Sequence, residues 1–290
     1  MGSSTGSGYS AEARAAAEWQ RIARLPDEDV SLAEGALWIA AVEYPELAVT
    51  GYLDRLQEMA DQLRARLRPD MPTAEKLFAL NRYLFDELGF SGNSDNFYDP
   101  RNSYLNDVIE RRLGIPITLA VVYIEVGRRL GIGLHGVSFP GHFLVKCALP
   151  DGFVVLDPYG RGATLDLHDL RNWLRVAHGG GDVDAQALES ALAAADNKAI
   201  MIRLLRNLKA IHLQSGKLNS ALPIMHWILA AAPQEPVELR DRGMIYQELE
   251  CFRPAMSDFE NYLRAAPEAA DAQDIRARIA KLRSQVSRLN

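Results

Sequence analysis

Apolar residues in the first third of the chain recur every three or four positions, the period of an amphipathic helix. The spacing predicts helices over residues 11–25, 31–44, 53–67 and 73–88. Ser31 and Glu34 have the capping-box spacing at the start of the second helix, and Thr73 is the expected N-cap of the fourth. Residues 89–103 are rich in Gly, Asn, Asp and Ser, which predicts a long loop and a candidate wall of a functional site.

The middle of the chain changes from a helical to an extended pattern. A short amphipathic helix is predicted over 102–113, followed by a helix over 116–130 whose residues are apolar nearly all round, so it should be central and buried. Short β-rich runs follow, at 133–139, 142–149 and 153–159. The Pro-Asp-Gly sequence at 150–152 allows only a hairpin, so the sheet should be antiparallel. One more strand and a helix are predicted over 163–178, before a Gly-rich joint at 178–182.

From residue 198 onward the pattern is helical and repeats itself at a fixed interval. The interval is that of a tetratricopeptide repeat, a helical hairpin of about 34 residues that serves as a protein-binding scaffold. The matching positions are Pro233 with Pro267, Ala221 with Ala255, Met225 with Phe259, and Leu205 with Leu239.

The two copies differ in how well they keep the repeat signature. Gly243 and Tyr246 are the small and aromatic residues of the signature in the second copy, whereas the first copy has Lys209 and His212 at these positions. A final amphipathic helix at 272–286 suits a capping role. The alternative, an ordinary helical bundle with coincidental spacing, has to explain four register matches.

Composition limits the partners and the compartment. With 32 basic and 38 acidic residues the net charge is −6, which does not favour nucleic acid, although a local basic patch could still form at Arg101, Arg111, Arg112, Arg128 and Arg129. Two cysteines are too few for a disulfide framework, and no apolar stretch reaches the ~20 residues that span a bilayer. We therefore expect a cytoplasmic protein without a membrane partner, and interpret residues 1–10 as a tag or a disordered segment.

His142 and Asp157 are the candidate catalytic residues. They stand at the start and the end of two strands joined by the 150–152 turn, so the imidazole and the carboxylate could face each other as a base with its orienting group. A buried histidine that merely pins two strands is an equally good interpretation. A metal site would need ligands such as His135, His142 and Asp157, but their separations along the chain match none of the usual metal-ligand spacings. Neither a metal nor a cofactor is predicted.

A nucleophile for this pair is hard to find. Papain-like and transglutaminase-like enzymes carry a cysteine at the N-terminus of a central helix, where the helix dipole lowers the thiol pKa. Here that helix begins at Pro116 without a thiol. Cys147 should face away from His142, and Cys251 lies at a repeat turn. Thr118 is the one hydroxyl near the right place, and it could equally cap or pack.

Two groups of motifs carry a family resemblance. A central helix, a strand with Gly-His and a strand with Asp-Pro resemble the transglutaminase-like core. Residues 98–132, GVSFPGHFLVK and LDPYGRG are similar to the bacterial SirB-type family, which couples this core to C-terminal tetratricopeptide repeats. The resemblance places His142 and Asp157 at the family's His and Asp positions, and the thiol position at residues 116–118.

The sequence thus predicts an α+β fold with a transglutaminase-like or papain-like core over 11–180, followed by an all-α tetratricopeptide domain over 198–290. The expected function is that of a non-catalytic cytoplasmic adaptor or regulator that binds a protein or peptide through the repeats and through an inert transglutaminase-like cleft. The alternative is a hydrolase or acyltransferase that uses His142 and Asp157 without a cysteine. Beyond Thr118, His142 and Asp157, the predicted site residues are binding residues: Asn102, Asn106, Glu110, Arg111, Arg112 and Tyr246.

Overall fold

The structure, a computed structural model, describes residues 10–289, and the side chains of residues 10–287. It divides into two compact units, one running up to Leu204 and the other from Leu205, with the boundary inside a helix. The expectation for residues 1–10 lies outside the described chain except at Ser10. The limits 11–180 and 198–290 remain predictions.

The first unit is a mixed helical and β unit. Its helices are α1 (Ala11–Arg24), α2 (Leu32–Ala40), α3 (Val49–Arg64), α4 (Thr73–Asn81), α5 (Leu105–Arg111), α6 (Pro116–Arg129), α7 (Leu167–Ala177), α8 (Ala185–Ala191) and the first half of α9 (Asn197–Gln214). Its strands are β1 (Ser91–Gly92), β2 (Leu113–Gly114), β3 (Leu134–Val137), β4 (Leu144–Leu149), β5 (Gly152–Asp157) and β6 (Ala163–Leu165). The predicted α+β class is confirmed.

Local capping explains where several helices begin. The Ser31 hydroxyl accepts a hydrogen bond from the Glu34 N–H at 3.3 Å, as the capping-box spacing predicts. The Glu34 carboxylate, however, pairs with Arg21 at 2.5 Å rather than completing the box. The N-cap assignment of Thr73 is wrong: the N-cap of α4 is Pro72, without a side-chain hydrogen bond, and Thr73 is the first helical residue.

Helix α4 does not continue to residue 88 as predicted. It passes at Arg82 into a π-helical segment, Arg82–Glu87, which turns Tyr83, Leu84 and Phe85 into the core together. At the junction Asn81 donates to the Gly162 carbonyl at 2.9 Å and accepts from the Tyr123 hydroxyl at 2.7 Å. The π turn thus begins where Asn81 makes these two hydrogen bonds, and the helical period of the sequence predicts neither the turn nor the bonds.

Helix α6 is the central element, as its apolar pattern predicts. Every residue from Ile117 to Gly127 is buried. Gly127 allows the sheet to approach, because a Cβ there would overlap the side chain of Leu134 on β3.

The sheet is antiparallel, with strand order β3-β4-β5-β6. Leu149 pairs with Gly152, so Pro150 and Asp151 form the tip of the predicted hairpin. Helices α7 and α8 pack on the sheet through a cluster that includes Val137, Leu170 and Leu188. The sequence pattern does not predict helix α8.

Residues 89–103 form a mostly irregular segment, with two short structured parts that the sequence did not predict. Strand β1 pairs in parallel with β2 through Ser91–Leu113 and Gly92–Gly114, and a 3₁₀ turn spans Pro100–Asn102. These contacts fix both ends of the segment, which is called the rim loop (residues 93–103) below.

The second unit consists of the rest of α9, α10 (Leu218–Ala231), α11 (Pro236–Glu248), α12 (Phe252–Ala265) and α13 (Ala272–Leu289). Helix α12 starts and ends one repeat interval after α10, which confirms the predicted period. The positive-φ residues Gly216 and Glu250 stand the same interval apart, each at the turn inside a hairpin. The paired positions Ala221 and Ala255 are both fully buried.

Candidate functional site

The N-terminus of α6 is formed by a proline and by a threonine whose hydroxyl is hydrogen-bonded to the backbone. Pro116 is the first helical residue, where its missing N–H costs no hydrogen bond. The buried Thr118 hydroxyl accepts from the Ile115 N–H at 3.1 Å and donates to the Asn102 carbonyl at 2.7 Å. Thr118 therefore caps the helix and ties it to the rim loop.

The two cysteines lie elsewhere. Cys147 is fully buried on β4, opposite Leu134 and Val154, and burial raises the pKa of its thiol. Cys251 is exposed at the N-cap position of α12 in the second unit. Cys147 is thus poorly suited to form a thiolate, and neither cysteine occupies the position at the start of α6.

His142 lies in a turn two residues before β4 rather than in the strand. Its ring stacks on the indole of Trp173 of α7, with centroids 4.1 Å apart and planes at 22°. The guanidinium of Arg203 donates to the His142 carbonyl at 2.6 Å, and burial lowers the pKa of that guanidinium. The Nδ1 atom of His142 is buried and has no hydrogen-bond partner among the described residues.

Asp157, the last residue of β5, is buried and does not bond to His142. Its Oδ1 accepts from the backbone N–H of Tyr159 at 2.9 Å, and no described residue forms an ion pair with it. The expected base-plus-orienter hydrogen bond is therefore absent from residues 10–289. The register explains this: Val145 pairs with Leu156, so Leu144, not His142, comes opposite Asp157.

Asn102 organises the rim loop. Its fully buried amide donates to the carbonyls of Asn96 at 2.7 Å and Phe97 at 3.3 Å. Its Oδ1 accepts from Asn93 at 3.1 Å and from Arg111 at 3.3 Å. One side chain thus closes the loop on itself and connects it to α5.

A buried carboxylate supports the same loop. Asp99 accepts from Arg101 at 2.7 Å and lies 3.7 Å from the guanidinium of Arg111. The hydrogen bonds from Arg101 hold the pKa of the Asp99 carboxyl below its usual range, against the opposing effect of burial.

The remaining predicted binding residues of the first unit point in different directions. Glu110 pairs with Arg55 and accepts from Tyr52 of α3, and Arg112 donates to the Leu88 carbonyl at 2.5 Å. Asn106 is buried, and its Oδ1 has no partner among the described residues. The structure brings Asn102 and Arg111 together, and no hydrogen bond or ion pair joins this group to His142 within residues 10–289.

A cluster of three aromatic rings was missed by the sequence analysis. The Phe97 ring lies 5.4 Å from that of Tyr98 and 6.3 Å from that of Tyr159, both edge-on. The Tyr159 ring covers Gly92, where any Cβ would overlap it. The one sequence signal was a Phe-Tyr pair within an otherwise polar loop.

Each arginine of the predicted basic patch has an ion-pair or hydrogen-bond partner within the first unit. Arg128 and Arg129 both pair with the buried Glu125, and Arg101 and Arg111 engage Asp99. These arginines therefore serve as structural contacts within the first unit.

In the second unit, Tyr246 sits at a polar junction of the two repeats. Its hydroxyl lies 2.6 Å from Nε2 of His226, and the guanidinium of Arg242 lies 5.8 Å from its ring centroid. Arg242 is fixed by two hydrogen bonds of 2.7 Å to the buried Asp258. Burial lowers the pKa of His226, and the charge of Arg242 lowers it further.

A chain of ion pairs links the first helices of successive hairpins, which the sequence analysis also missed. Lys209 occupies the small-residue position of the first repeat and bonds to Glu238 at 2.7 Å and to Asp241 at 3.1 Å. Arg206 bonds to Glu238 at 2.9 Å, and Arg240 lies 3.2 Å from Asp271. The departure of Lys209 from the repeat signature is thus accommodated by acidic partners on the next helix.

The described residues contain no cluster of three or more His, Cys, Asp or Glu side chains that could hold a metal ion. His135 is exposed on β3. No helix in this part of the chain has the length and apolar character needed to cross a bilayer.

Comparisons with known proteins agree with this architecture. Residues 50–206 match the model of the transglutaminase-like superfamily, and residues 208–280 match a tetratricopeptide repeat model. The chain is 42% identical to a UPF0162 protein of Xylella fastidiosa over 267 residues, which covers 92% of this chain and 95% of that protein. It is 30% identical to the UPF0162 protein YchA of Escherichia coli K12 over 82% of this chain and 86% of that one.

A third relative carries the name that the sequence resemblance suggested. Protein SirB1 of Salmonella typhimurium is 29% identical over 241 residues, covering 82% of this chain and 86% of SirB1. A transglutaminase-like unit followed by tetratricopeptide repeats, with this similarity over most of the length, shows that the chain belongs to the SirB-type family of transglutaminase-like proteins.

Proposed function

We propose that this protein is a non-catalytic adaptor or regulator of the cytoplasm that binds a protein partner through its repeats, and that its transglutaminase-like cleft is inert in thiol catalysis. The observation that carries the proposal is the start of α6. Pro116 stands there, and the nearby Thr118 hydroxyl is committed to the Ile115 N–H and the Asn102 carbonyl. A hydroxyl nucleophile must pass its proton to a base, and the Thr118 proton is directed to a backbone carbonyl instead.

The state of His142 supports the same proposal. A general base must be held in one tautomer by a partner at its other nitrogen, which in this fold would be a carboxylate. Here Nδ1 of His142 has no partner in the described chain, and Asp157 accepts from Tyr159 instead. The imidazole packs on Trp173, which suits a structural role.

Protein binding is the general function of tetratricopeptide repeats, and the second unit has what that function requires. Repeat proteins present the exposed side chains of successive hairpins as one extended surface on a rigid frame. The frame here is fixed by the buried Phe259 and by the ion pairs of Lys209 with Glu238 and Asp241. Tyr246 lies at the junction of the repeats and is the predicted contact residue.

Catalysis is tested by a screen of ester and amide substrates with the purified full chain. The wild type, His142→Ala and the control His135→Ala, an exposed histidine of β3, should all give the uncatalysed rate. Turnover that is lost in His142→Ala and kept in His135→Ala would instead favour the alternative, a hydrolase or acyltransferase that relies on His142 and Asp157.

Binding is tested by capturing partners from a cell lysate with the full chain. Tyr246→Ala should reduce recovery of the partner, whereas Tyr52→Ala, a partly buried tyrosine on α3, should not. Equal recovery with all three proteins would remove Tyr246 from the binding surface. Recovery that falls only in Tyr52→Ala would move that surface to the first unit.

A further inference from the structure

The three-ring cluster of the first unit exposes more aromatic surface than packing requires. Tyr98 is 64% exposed and Phe97 is 38% exposed, although each contacts another ring. Large exposed apolar side chains that stand next to one another mark interaction sites more often than single ones do. Phe97 and Tyr98 of the rim loop, together with Tyr159 after β5, thus form a group of neighbouring aromatic rings.

The backbone that carries Phe97 and the ring of Tyr159 are both held in place by contacts within the first unit. The Asn102 amide donates to the carbonyls of Asn96 and Phe97 and so fixes the backbone that carries the first ring. The Tyr159 ring rests on Gly92, and the Tyr159 N–H donates to Asp157. A surface fixed in this way loses little conformational entropy on binding.

Two carboxylates lie close to the rings along the chain, the exposed Asp95 two residues before Phe97 and the buried Asp157 two residues before Tyr159. Asp157 lies two residues from Tyr159, and its charge adds to burial in raising the pKa of the Tyr159 hydroxyl. Asp95 is exposed in the rim loop. Neither carboxylate forms an ion pair within residues 10–289, whereas the neighbouring cations Arg101 and Arg161 are paired with Asp99 and Asp86.

We propose that the surface formed by Phe97, Tyr98 and Tyr159 is a binding site for a lysine or arginine side chain of a partner polypeptide. A cation within about 6 Å of an aromatic centroid is attracted by the ring face, and nearby carboxylates strengthen the attraction. The inference rests on the proposed role in protein binding and adds the chemistry of one contact. It places that contact on the transglutaminase-like unit rather than on the repeats.

The test is an NMR titration of the isotope-labelled full chain with acetylated, amidated Gly-Lys-Gly-Lys-Gly. Signals of the rim loop should shift on titration, with an affinity at least about fivefold higher than for the same peptide with norleucine in place of lysine. Norleucine keeps the apolar stem and removes the charge. Raising the salt concentration should weaken binding of the lysine peptide and leave binding of the norleucine peptide unchanged.

Variants separate a cation site from a hydrophobic patch. Tyr98→Leu keeps apolar area but removes the aromatic face. It should lower the affinity for the lysine peptide about two- to fivefold. The matched control is Phe78→Leu, since Phe78 is 70% exposed on α4 outside the cluster. This variant should bind the lysine peptide with the affinity of the wild type. Because Tyr98 is largely exposed, its replacement should leave the fold intact, which the spectrum of the variant reports directly.

Three outcomes would overturn the proposal: no shift at the highest soluble peptide concentration, equal binding of the lysine and norleucine peptides, or equal loss in Tyr98→Leu and Phe78→Leu. A free polyamine that binds more tightly than the lysine peptide would also contradict it, because the site would then serve a small molecule. None of these results depends on catalysis. Failure here is therefore distinguishable from failure of the proposed function, which turnover by the wild type or undiminished partner recovery with Tyr246→Ala would signal.

Discussion

At the residue scale, the contacts that each polar side chain makes limit the role it can have in the transglutaminase-like unit. The Thr118 hydroxyl has two backbone partners, Asn102 closes the rim loop, and His142 packs on Trp173. The hydrogen bonds of Thr118 and Asn102 hold the start of α6 and the rim loop together, while the contact of His142 is a ring stacking. A hydroxyl or an amide used in this way is costly to remove, because its buried partners would be left unsatisfied.

The two thiols should differ strongly in reactivity. Iodoacetamide should label the exposed Cys251 of the native protein and leave Cys147 unmodified, because burial both blocks access and raises the pKa of the Cys147 thiol. Mass spectrometry of the native protein should find one label, and two after unfolding in denaturant. Neither partner binding nor any activity should depend on the label. Rapid native labelling of Cys147 would contradict the buried environment, and a Cys147→Ala variant would then show whether the thiol has a role.

Asp99 should contribute stability that depends on pH. Its pKa is lower in the folded state, so its stabilisation is fully present above the unfolded-state pKa of about 3.9 and is lost as the pH falls through the folded-state pKa. Asp99→Asn should therefore lose about 1.5–3 kcal/mol at neutral pH, the range for hydrogen bonds to charged groups. The difference from the wild type should shrink below pH ~4.

Urea unfolding as a function of pH measures this effect. The control is Asp95→Asn, an exposed carboxylate of the same loop without an ion pair among the described residues, which should be about as stable as the wild type at neutral pH. A pH-independent loss in Asp99→Asn would mean that packing of the carboxyl, and not its charge, supports the rim loop.

At the element scale, the helical hairpins are set by small residues at close contacts. Gly243 of α11 lies against the fully buried Phe259 of α12, and a Cβ on Gly243 would come within 2.6 Å of the Phe259 ring. The alanines Ala221 and Ala255 are likewise buried in the partner helices α10 and α12. The repeat signature therefore calls for a small residue at the position of Gly243 because the two helices approach closely there.

Gly243→Ala should destabilise the second unit by about 1–3 kcal/mol, the usual cost of overpacking, despite the better helix propensity of alanine. Gly51→Ala in α3 is the matched control, since nothing lies within 4 Å of the added methyl group. That variant should gain roughly 0.5–1 kcal/mol, because alanine loses less backbone entropy than glycine. Thermal unfolding of both variants measures the change in stability. Higher stability in both would show that Phe259 moves aside at little energetic cost.

At the scale of the whole molecule, the two units are built on different principles. The first surrounds one buried helix, α6, with helices and a four-stranded sheet. The second grows by stacking one hairpin on the next, so each end of the stack needs a cover. Helix α13 provides that cover at the C-terminal end, through Ile275, Ile279 and Leu282, which are buried against residues such as Phe259 and Tyr262.

Removal of residues 271–290 should lower the melting temperature or cause aggregation through the uncovered second repeat. Burial of Ile275, Ile279 and Leu282 is worth on the order of 5–8 kcal/mol before the entropy of ordering the helix is subtracted. What remains is a large share of a typical domain stability of ~5–15 kcal/mol. Differential scanning calorimetry of the truncated and full-length chains tests this, and superimposable melting curves would show that α13 is not a cap.

Point variants give the same test without truncation. Leu282→Ala should cost about 2–5 kcal/mol, as a large-to-small change in a core does, whereas Lys281→Ala, on the exposed side of α13, should have almost no effect. Similar melting temperatures for both variants would count against the packed position of α13.

The sequence by itself determined the features that depend on local periodicity. The buried run of α6, the hairpin at Pro150 and Asp151, and the helical-hairpin repeat all follow from regular spacings along the chain. The family resemblance rests on the same local motifs. Such features hold because a helix or a hairpin must bury the face that its own residues define.

Tertiary structure alone decided which polar groups meet. The sequence suggested that His142 would face Asp157, but strand register and the turn at Pro140 direct its ring to Trp173 instead. The pairing of β1 with β2, the hydrogen bonds of Asn81 before the π turn, and the contact of Phe97 with Tyr159 also join residues far apart in the chain. Hydrogen bonds form or fail within a few tenths of an ångström, and that precision is set by how whole elements pack, which no spacing along the chain records.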